Sequence, residues 1–347
     1  MEGKMKAAVM TDIQKLEIEE RPIPQIKPNE VLVKLDYCGI CGSDMHFFEY
    51  GKIGTVVIKP PRILGHEPGG TVVEVGSEVS HLHVGDKVAV EPGVPCGKCE
   101  TCRQGLYNLC DNVKFYGTSL VDGAFCEYIA HDANYVWKLP EGVSTLEGAL
   151  VEPLAVGLQA VRQGGAHAGQ TAVVLGSGCI GLCTMLSLKI VGVNTIYVVD
   201  IVDSRLQKAM ELGATGVING KECDAVQKIL ELTGGKGADI VLETAGTEIT
   251  TNQAIHMTKR GCTVVLVGNS ASGHMDFDTF GVIHNELTIK SVYRYRNCYP
   301  VAIEALAAGK IDLKGVATNL FKFEDIQSAM EQSITDKQHI IKSVIQF

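Results

Sequence analysis

Residues 171–181 read T-A-V-V-L-G-S-G-C-I-G, and the apolar run C-I-G-L-C-T-M-L-S-L-K-I-V continues from Cys179 to Val191. A short apolar run of this kind reads as a strand, and the longer one as a buried helix. Between them lies G-x-G-x-x-G, which gains meaning only in this strand-to-helix setting. Gly176 permits a tight turn, Gly178 lets backbone approach a pyrophosphate, and Gly181 lets helix and strand pack closely. The helix start adds free N–H groups and positive dipole potential for phosphates. Asp200 ends the next apolar run, Thr195–Asp200. A carboxylate there accepts ribose hydroxyls and repels a 2′-phosphate, which favours NAD over NADP.

Strand-like and helix-like stretches alternate on either side of this turn. Thr171–Leu175, Thr195–Asp200, Asp239–Glu243, Thr263–Val267 and Leu287–Ser291 read as strands. Cys179–Val191, Ser204–Leu212 and stretches near 222–232 and 249–258 read as helices. That alternation implies βαβ units and a parallel sheet. Residues 5–150 have a different texture. Short runs at Val31–Tyr37, Gly70–Val75, Lys87–Glu91 and Phe125–Ala130 are punctuated by glycine and proline, which predicts a mostly β domain. The tail, 293–347, returns to mixed structure and is expected to pack back on that first domain. At 347 residues the chain is longer than one core supports. The expected division is 1–153 with 293–347, and 154–292.

Cys41 lies in C-G-S-D-M-H (41–46), His66 and Glu67 in G-H-E (65–67), and Glu152 in V-E-P-L-A-V (151–156). Here Cys41 reads as part of a glycine-flanked loop, and Glu152-Pro153 as preceding an apolar helical stretch. A thiolate, an imidazole and carboxylates can hold zinc and leave one position open, the mark of a catalytic rather than a structural site. Zinc there would stabilise an alkoxide while hydride leaves. Ser43 and His46 follow Cys41 closely enough to carry the proton to solvent. Singly, a cysteine or histidine of this kind is more often a core thiol or a hydrogen-bonded structural group. Beside a dinucleotide turn the set points to chemistry.

Cys96, Cys99, Cys102 and Cys110 are spaced C-x2-C-x2-C-x7-C. Four thiolates so close can close around one structural Zn²⁺ and fix a loop. Disulfides are the competing reading, disfavoured in a reducing compartment. The chain holds twelve cysteines, 46% apolar and 20% charged residues, and a formal net charge of −9. The negative charge argues against nucleic acid and anionic membranes as partners. No run approaches the ~20 apolar residues of a membrane span, and the N-terminus lacks a signal-peptide core. The cytoplasm is the expected compartment.

Together these motifs resemble the zinc-dependent medium-chain dehydrogenases, and within them the sorbitol and xylitol dehydrogenase branch. The marks are C-G-I-C-G-S-D-M-H-F-F-E-Y-G, G-H-E, the cysteine quartet, E-P-L-A-V-G, V-L-G-S-G-C-I-G and S-V-Y-R-Y-R-N. The resemblance implies an α/β chain: a GroES-like, mostly β catalytic domain plus a Rossmann domain with a doubly wound parallel sheet, and an active site in the cleft between them. It implies that Cys41 and His66 bind catalytic zinc, while Glu67 and Glu152 share the remaining roles of ligand and of contact to metal-bound water. Ile180, Asp200, Arg205, Val267, Gly268 and Asn269 match cofactor contacts. Val292, Tyr293 and Arg294 match cofactor contacts, with Val292 and Tyr293 beside the nicotinamide, and Arg294 and Tyr295 match positions that help hold substrate hydroxyls or the water network. Phe47 departs from the branch, where tyrosine is common, and removes one polar substrate contact. The implied activity is oxidation of a polyol (sorbitol, xylitol or L-iditol) at C2 to the ketose, with hydride passing to NAD, in a homotetramer. The alternatives are a secondary-alcohol, butanediol or threonine dehydrogenase, or a nucleotide-binding protein without catalysis.

Overall fold

The computed structural model describes residues 2–270 and 273–347. Residues 1, 271 and 272, which fall in the domain ranges above, lie outside the described residues. Two compact units are present. One comprises Met1–Glu152, Tyr299–Ala307 and Ala317–Phe347; the other comprises Pro153–Cys298 and Ala308–Val316.

The first unit is organised by the strand Glu30–Gly39. Along one edge it pairs antiparallel with Glu67–Val75. Along the other it pairs first with Tyr128–Asp132 and then with Ser343–Gln346, so the C-terminal strand completes the sheet. Lys87–Val90 and Val136–Lys138 extend one side, and Asn319–Lys322 the other, giving seven strands. Val31, Leu32, Val33, Leu35 and Cys38 are all 0–1% exposed, so both faces of the central strand are covered. The helix Ile326–Thr335 lays Ile326, Ala329 and Met330 on this core, the i, i+3, i+4 stripe of an amphipathic helix.

The second unit is a six-stranded, fully parallel sheet. Its order is Gly216–Asn219, Thr195–Asp200, Thr171–Leu175, Ala238–Glu243, Thr258–Leu266 and Thr288–Ser291. The chain leaves Thr171–Leu175 to one side first and later returns to the other. This is the doubly wound order, with its topological switch at the end of that strand. In the helix Cys179–Ile190, Gly181 through Leu188 are all buried, as expected of a helix apolar on every side.

Several boundaries differ from the sequence reading. Cys41 is the N-cap of a helix, Gly42–Tyr50, rather than part of a loop. That helix buries only Asp44, Phe47 and Phe48, too few positions to show a 3.6-residue period. Glu152-Pro153 lies inside the helix Thr145–Gly164 rather than before it. Pro153 has no N–H to donate within that helix, and Ala149, Leu150, Val151, Leu154 and Ala155 around it are fully buried. The strand expected at Phe125–Ala130 runs from Tyr128 to Asp132, because Phe125 instead bonds through its N–H to Leu64 and its C=O to Ala8. The tail does not stay together: residues 293–298 and 308–316 group with the second unit. There the turn Lys314–Val316 packs on the Cys179–Ile190 helix.

Candidate metal and dinucleotide sites

Cys41, His66 and Glu67 bring a sulfur, an imidazole nitrogen and a carboxylate oxygen within 4.8 Å of one another. The convergence follows from local structure. Glu67 starts the strand that pairs with the end of Glu30–Gly39, so Gly39 and Glu67 lie opposite one another. Cys41 follows two residues later. A Cβ on Gly39 would lie 1.9 Å from Glu67 Oε2, so any side chain there would displace the Glu67 carboxylate.

Asp44 ties the three together. Its Oδ2 accepts from Cys41 N–H at 3.0 Å, its Oδ1 accepts from Gly65 N–H at 3.0 Å, and Oδ1 lies 3.4 Å from His66 Nδ1. Nδ1 is thereby occupied, and Nε2 is the nitrogen left for a metal. Asp44 is fully buried. Burial alone would raise its pKa, but His66 and the two backbone N–H groups hold it below the ordinary range. For His66, burial works to lower the pKa, and Asp44 and Cys41 more than offset it, leaving it well above the usual value. Asp44 is a supporting residue that metal-ligand spacing alone does not single out. Its signal was the three-residue interval from Cys41, the spacing of a capping box.

Glu67 is fully buried, and so is nearly all of Lys342. Lys342 Nζ donates to Glu67 Oε1 at 2.6 Å and to Ile40 O at 2.9 Å, and it is ion-paired with Glu67 Oε2 as well. A buried carboxylate, a thiol and an imidazole oriented by Asp44 form a donor set suited to zinc, with the carboxylate held by Lys342. Glu152 is 5% exposed but is outside the group whose ligand atoms converge. Ser43 is half-buried and His46 exposed on the same short helix, three residues apart and therefore on one face. Phe47 is 6% exposed and belongs to the apolar core.

The sulfurs of Cys96, Cys99, Cys102 and Cys110 also lie within 4.8 Å of one another. Cys99 Sγ is 3.3 Å from Cys102 Sγ, too far for a disulfide, and all twelve cysteines are free. Hydrogen bonds, first from the Thr101 hydroxyl, lower the Cys99 thiol to about 6, while burial pushes Cys102 up to about 12. The loop is anchored by Glu91. Tyr107 OH donates to its Oε1 at 2.8 Å and Trp137 Nε1 to its Oε2 at 3.1 Å.

In the second unit the glycine turn sits at the switch point. Gly176 has φ +92°, and a Cβ on Gly181 would lie 1.9 Å from Gly176 O. Gly178 caps the helix, which leads into Ile180, and the Arg205 guanidinium lies beside it. Asp200 Oδ2 accepts from Ser177 N–H at 2.6 Å, and Oδ1 accepts from the N–H groups of Ile201 and Val202. The carboxylate thus binds the turn and keeps lone-pair capacity on Oδ2. Val267 and Gly268 both donate their N–H to Glu243 O, and exposed Asn269 follows. Val292 N–H donates to Leu266 O, which carries the chain beyond its last strand. Tyr293 is exposed, with the Arg294 guanidinium 4.8 Å over its ring, and Tyr295 is 3% exposed.

Residues 27–141 match the alcohol dehydrogenase GroES-like domain, and residues 179–308 match the zinc-binding dehydrogenase domain. A sorbitol dehydrogenase of Bacillus subtilis is 40% identical over 98% of this chain and 97% of its own length. A probable D-xylulose reductase A of Emericella nidulans is 39% identical over 95% and 93%. A crystal structure of an Escherichia coli oxidoreductase/dehydrogenase of unknown specificity superposes with a TM-score of 0.95 at 41% identity, covering 99% of both chains. With both domain families matched and full-length relatives at this identity, the chain belongs to the zinc-dependent medium-chain dehydrogenases.

Proposed function

We propose that the protein oxidises a polyol such as sorbitol, xylitol or L-iditol at C2 to the ketose, passing hydride to NAD. The observation that carries the reading is the Cys41, His66 and Glu67 donor set, with Asp44 fixing His66. The named activities of the relatives, sorbitol dehydrogenase and D-xylulose reductase, support the polyol class.

Cys41 and His66 would hold catalytic zinc, with Glu67 and Glu152 sharing the remaining carboxylate roles. The Lys342 ion pair favours Glu67 as the reserve partner and Glu152 as the group facing substrate or water. Bound zinc would supply Lewis-acid stabilisation of negative charge on oxygen. Ser43 takes the hydroxyl proton and His46, exposed to solvent, releases it. Val292 and Tyr293 would flank a bound nicotinamide, which would supply the hydride acceptor for C2, and the hydroxyl proton leaves through His46. Hydroxyl-holding roles fall to Glu152 in the first unit and to Arg294 and Tyr295 in the second, and Phe47, buried in the first unit's core, adds no hydroxyl. Gly176, Gly178, Ile180, Gly181, Arg205, Val267, Gly268 and Asn269 line the dinucleotide path, and Asp200 selects NAD through its fixed negative charge. The cysteine quartet would hold a second, structural zinc. A homotetramer follows from the family resemblance. The cytoplasm fits twelve free cysteines, and no helix among the described residues is long and apolar enough to cross a membrane.

The test is NADH formation by zinc-replete protein with sorbitol, xylitol, L-iditol, 2,3-butanediol, threonine and simple alcohols, each with NAD and NADP. Turnover highest on polyols with NAD is expected. Turnover confined to simple alcohols, butanediol or threonine sinks the polyol assignment, and a preference for NADP sinks the role of Asp200.

A further inference from the structure

Residues 292–298 join the last parallel strand to the helix Tyr299–Ala307. Within them Arg294 and Asn297 have φ +54° and +50°, the left-handed region that non-glycine residues rarely adopt. A segment with two such residues keeps one conformation only if its surroundings hold it there. Two anchors come from the end of the helix Thr145–Gly164. Gln163 Nε2 donates to Ser291 O at 3.1 Å, and Arg162 Nη2 donates to Arg296 O at 2.6 Å. These carbonyls bracket Val292, Tyr293, Arg294 and Tyr295.

Arg162 is itself oriented. Its Nη2 also donates to Gln159 Oε1, and Gln159 is 1% exposed. The reversed amide would set two donors against each other, so the hydrogen bond fixes which end of Gln159 faces the guanidinium. A guanidinium is planar, so fixing one nitrogen fixes the plane of the others. Cys298 Sγ donates to Arg296 O as well, at 3.2 Å, closing the anchor from the far side. All of these residues lie in the second unit.

We infer that Arg162 and Gln163 form a clamp that sets the backbone of 292–298, and so positions the side chains offered to nicotinamide and polyol. They are positioning residues that touch neither. The inference rests on the proposed function for its kinetic consequence but not for its structural one.

The test compares Arg162→Met and Arg162→Lys with wild type by hydrogen–deuterium exchange of peptides spanning 292–298, and by steady-state kinetics. In Arg162→Met, exchange in this segment should rise about tenfold, the scale of one charge-assisted hydrogen bond, with other peptides unchanged. KM for the polyol should rise by a similar factor while kcat moves less. Arg162→Lys should recover most of both, because an ammonium still donates to Arg296 O. Unchanged exchange in 292–298 overturns the clamp, even if polyol turnover is seen. Faster exchange in Arg162→Met, with a wild-type protein that does not oxidise polyols, upholds the clamp and defeats the polyol assignment. Should Arg162→Met not fold, Gln163→Leu removes the other anchor, and the same localised rise in exchange is required of it.

Discussion

At the scale of single residues, the metal site is decided as much by Asp44 as by the atoms that would touch the ion. Its carboxylate takes two backbone N–H bonds and lies against His66 Nδ1. Asparagine there keeps only one acceptor oxygen, so one of the two N–H groups faces an NH2 and the imidazole loses its charged partner. Asp44→Asn should therefore weaken zinc binding by roughly 10–100-fold, the cost typical of a lost metal-supporting carboxylate. Competition with a chromogenic chelator measures this directly, and NADH binding in the same variant should be unchanged. Wild-type zinc affinity in Asp44→Asn would show that His66 needs no such support. Asp200 makes a related point. Its place at the end of a strand is legible in the sequence, but its bonds to Ser177, Ile201 and Val202 come from the folded turn.

At the scale of elements, the cysteine loop hangs on a buried acid. Glu91 is 2% exposed, and burial raises its pKa from the ordinary carboxylate value to about 7, against the opposing donors Tyr107 and Trp137. The folded protein holds this proton more tightly than the unfolded chain does. Its stabilising contribution is complete below about pH 4.5 and is lost as pH rises through about 7. Glu91→Gln keeps an oxygen for one donor and removes the titration. Relative to wild type, it should gain up to roughly 2–3 kcal/mol in unfolding free energy between about pH 5 and pH 8. Denaturant titrations at the two pH values read this difference, and a constant or falling difference contradicts it. Elements also mark the limit of local reading. Thr171–Leu175 and Thr195–Asp200 have the bounds the sequence implies, because uninterrupted apolar runs end at glycine or acid. The helix Gly42–Tyr50 and the strand Gly216–Asn219 carry too few periodic residues to be seen, and packing and sheet pairing supply them.

At the scale of the molecule, the chain should bind two zinc ions that differ in exchange. The cysteine quartet would close around its ion with four sulfurs. The Cys41 site has a thiol, an imidazole and a carboxylate already paired to Lys342. Elemental analysis should give about two zinc per chain, and chelation should remove one pool first, with loss of turnover but retained helical signal. A single zinc per chain would contradict the assignment of the quartet. The sequence by itself determined the chemistry on offer: the glycine turn with Asp200, the quartet, and the Cys41, His66 and Glu67 donors. Turn geometry and ligand type are local properties of a few residues, so spacing reveals them. Only the tertiary structure decided how those donors are held. Lys342 lies 275 positions from Glu67, and strand pairing of the C-terminal segment brings them together. Arg162, near a helix end, and Arg296, in the segment after the last parallel strand, meet across 134 positions. Such pairings follow from sheet topology and burial, which no short window of sequence contains.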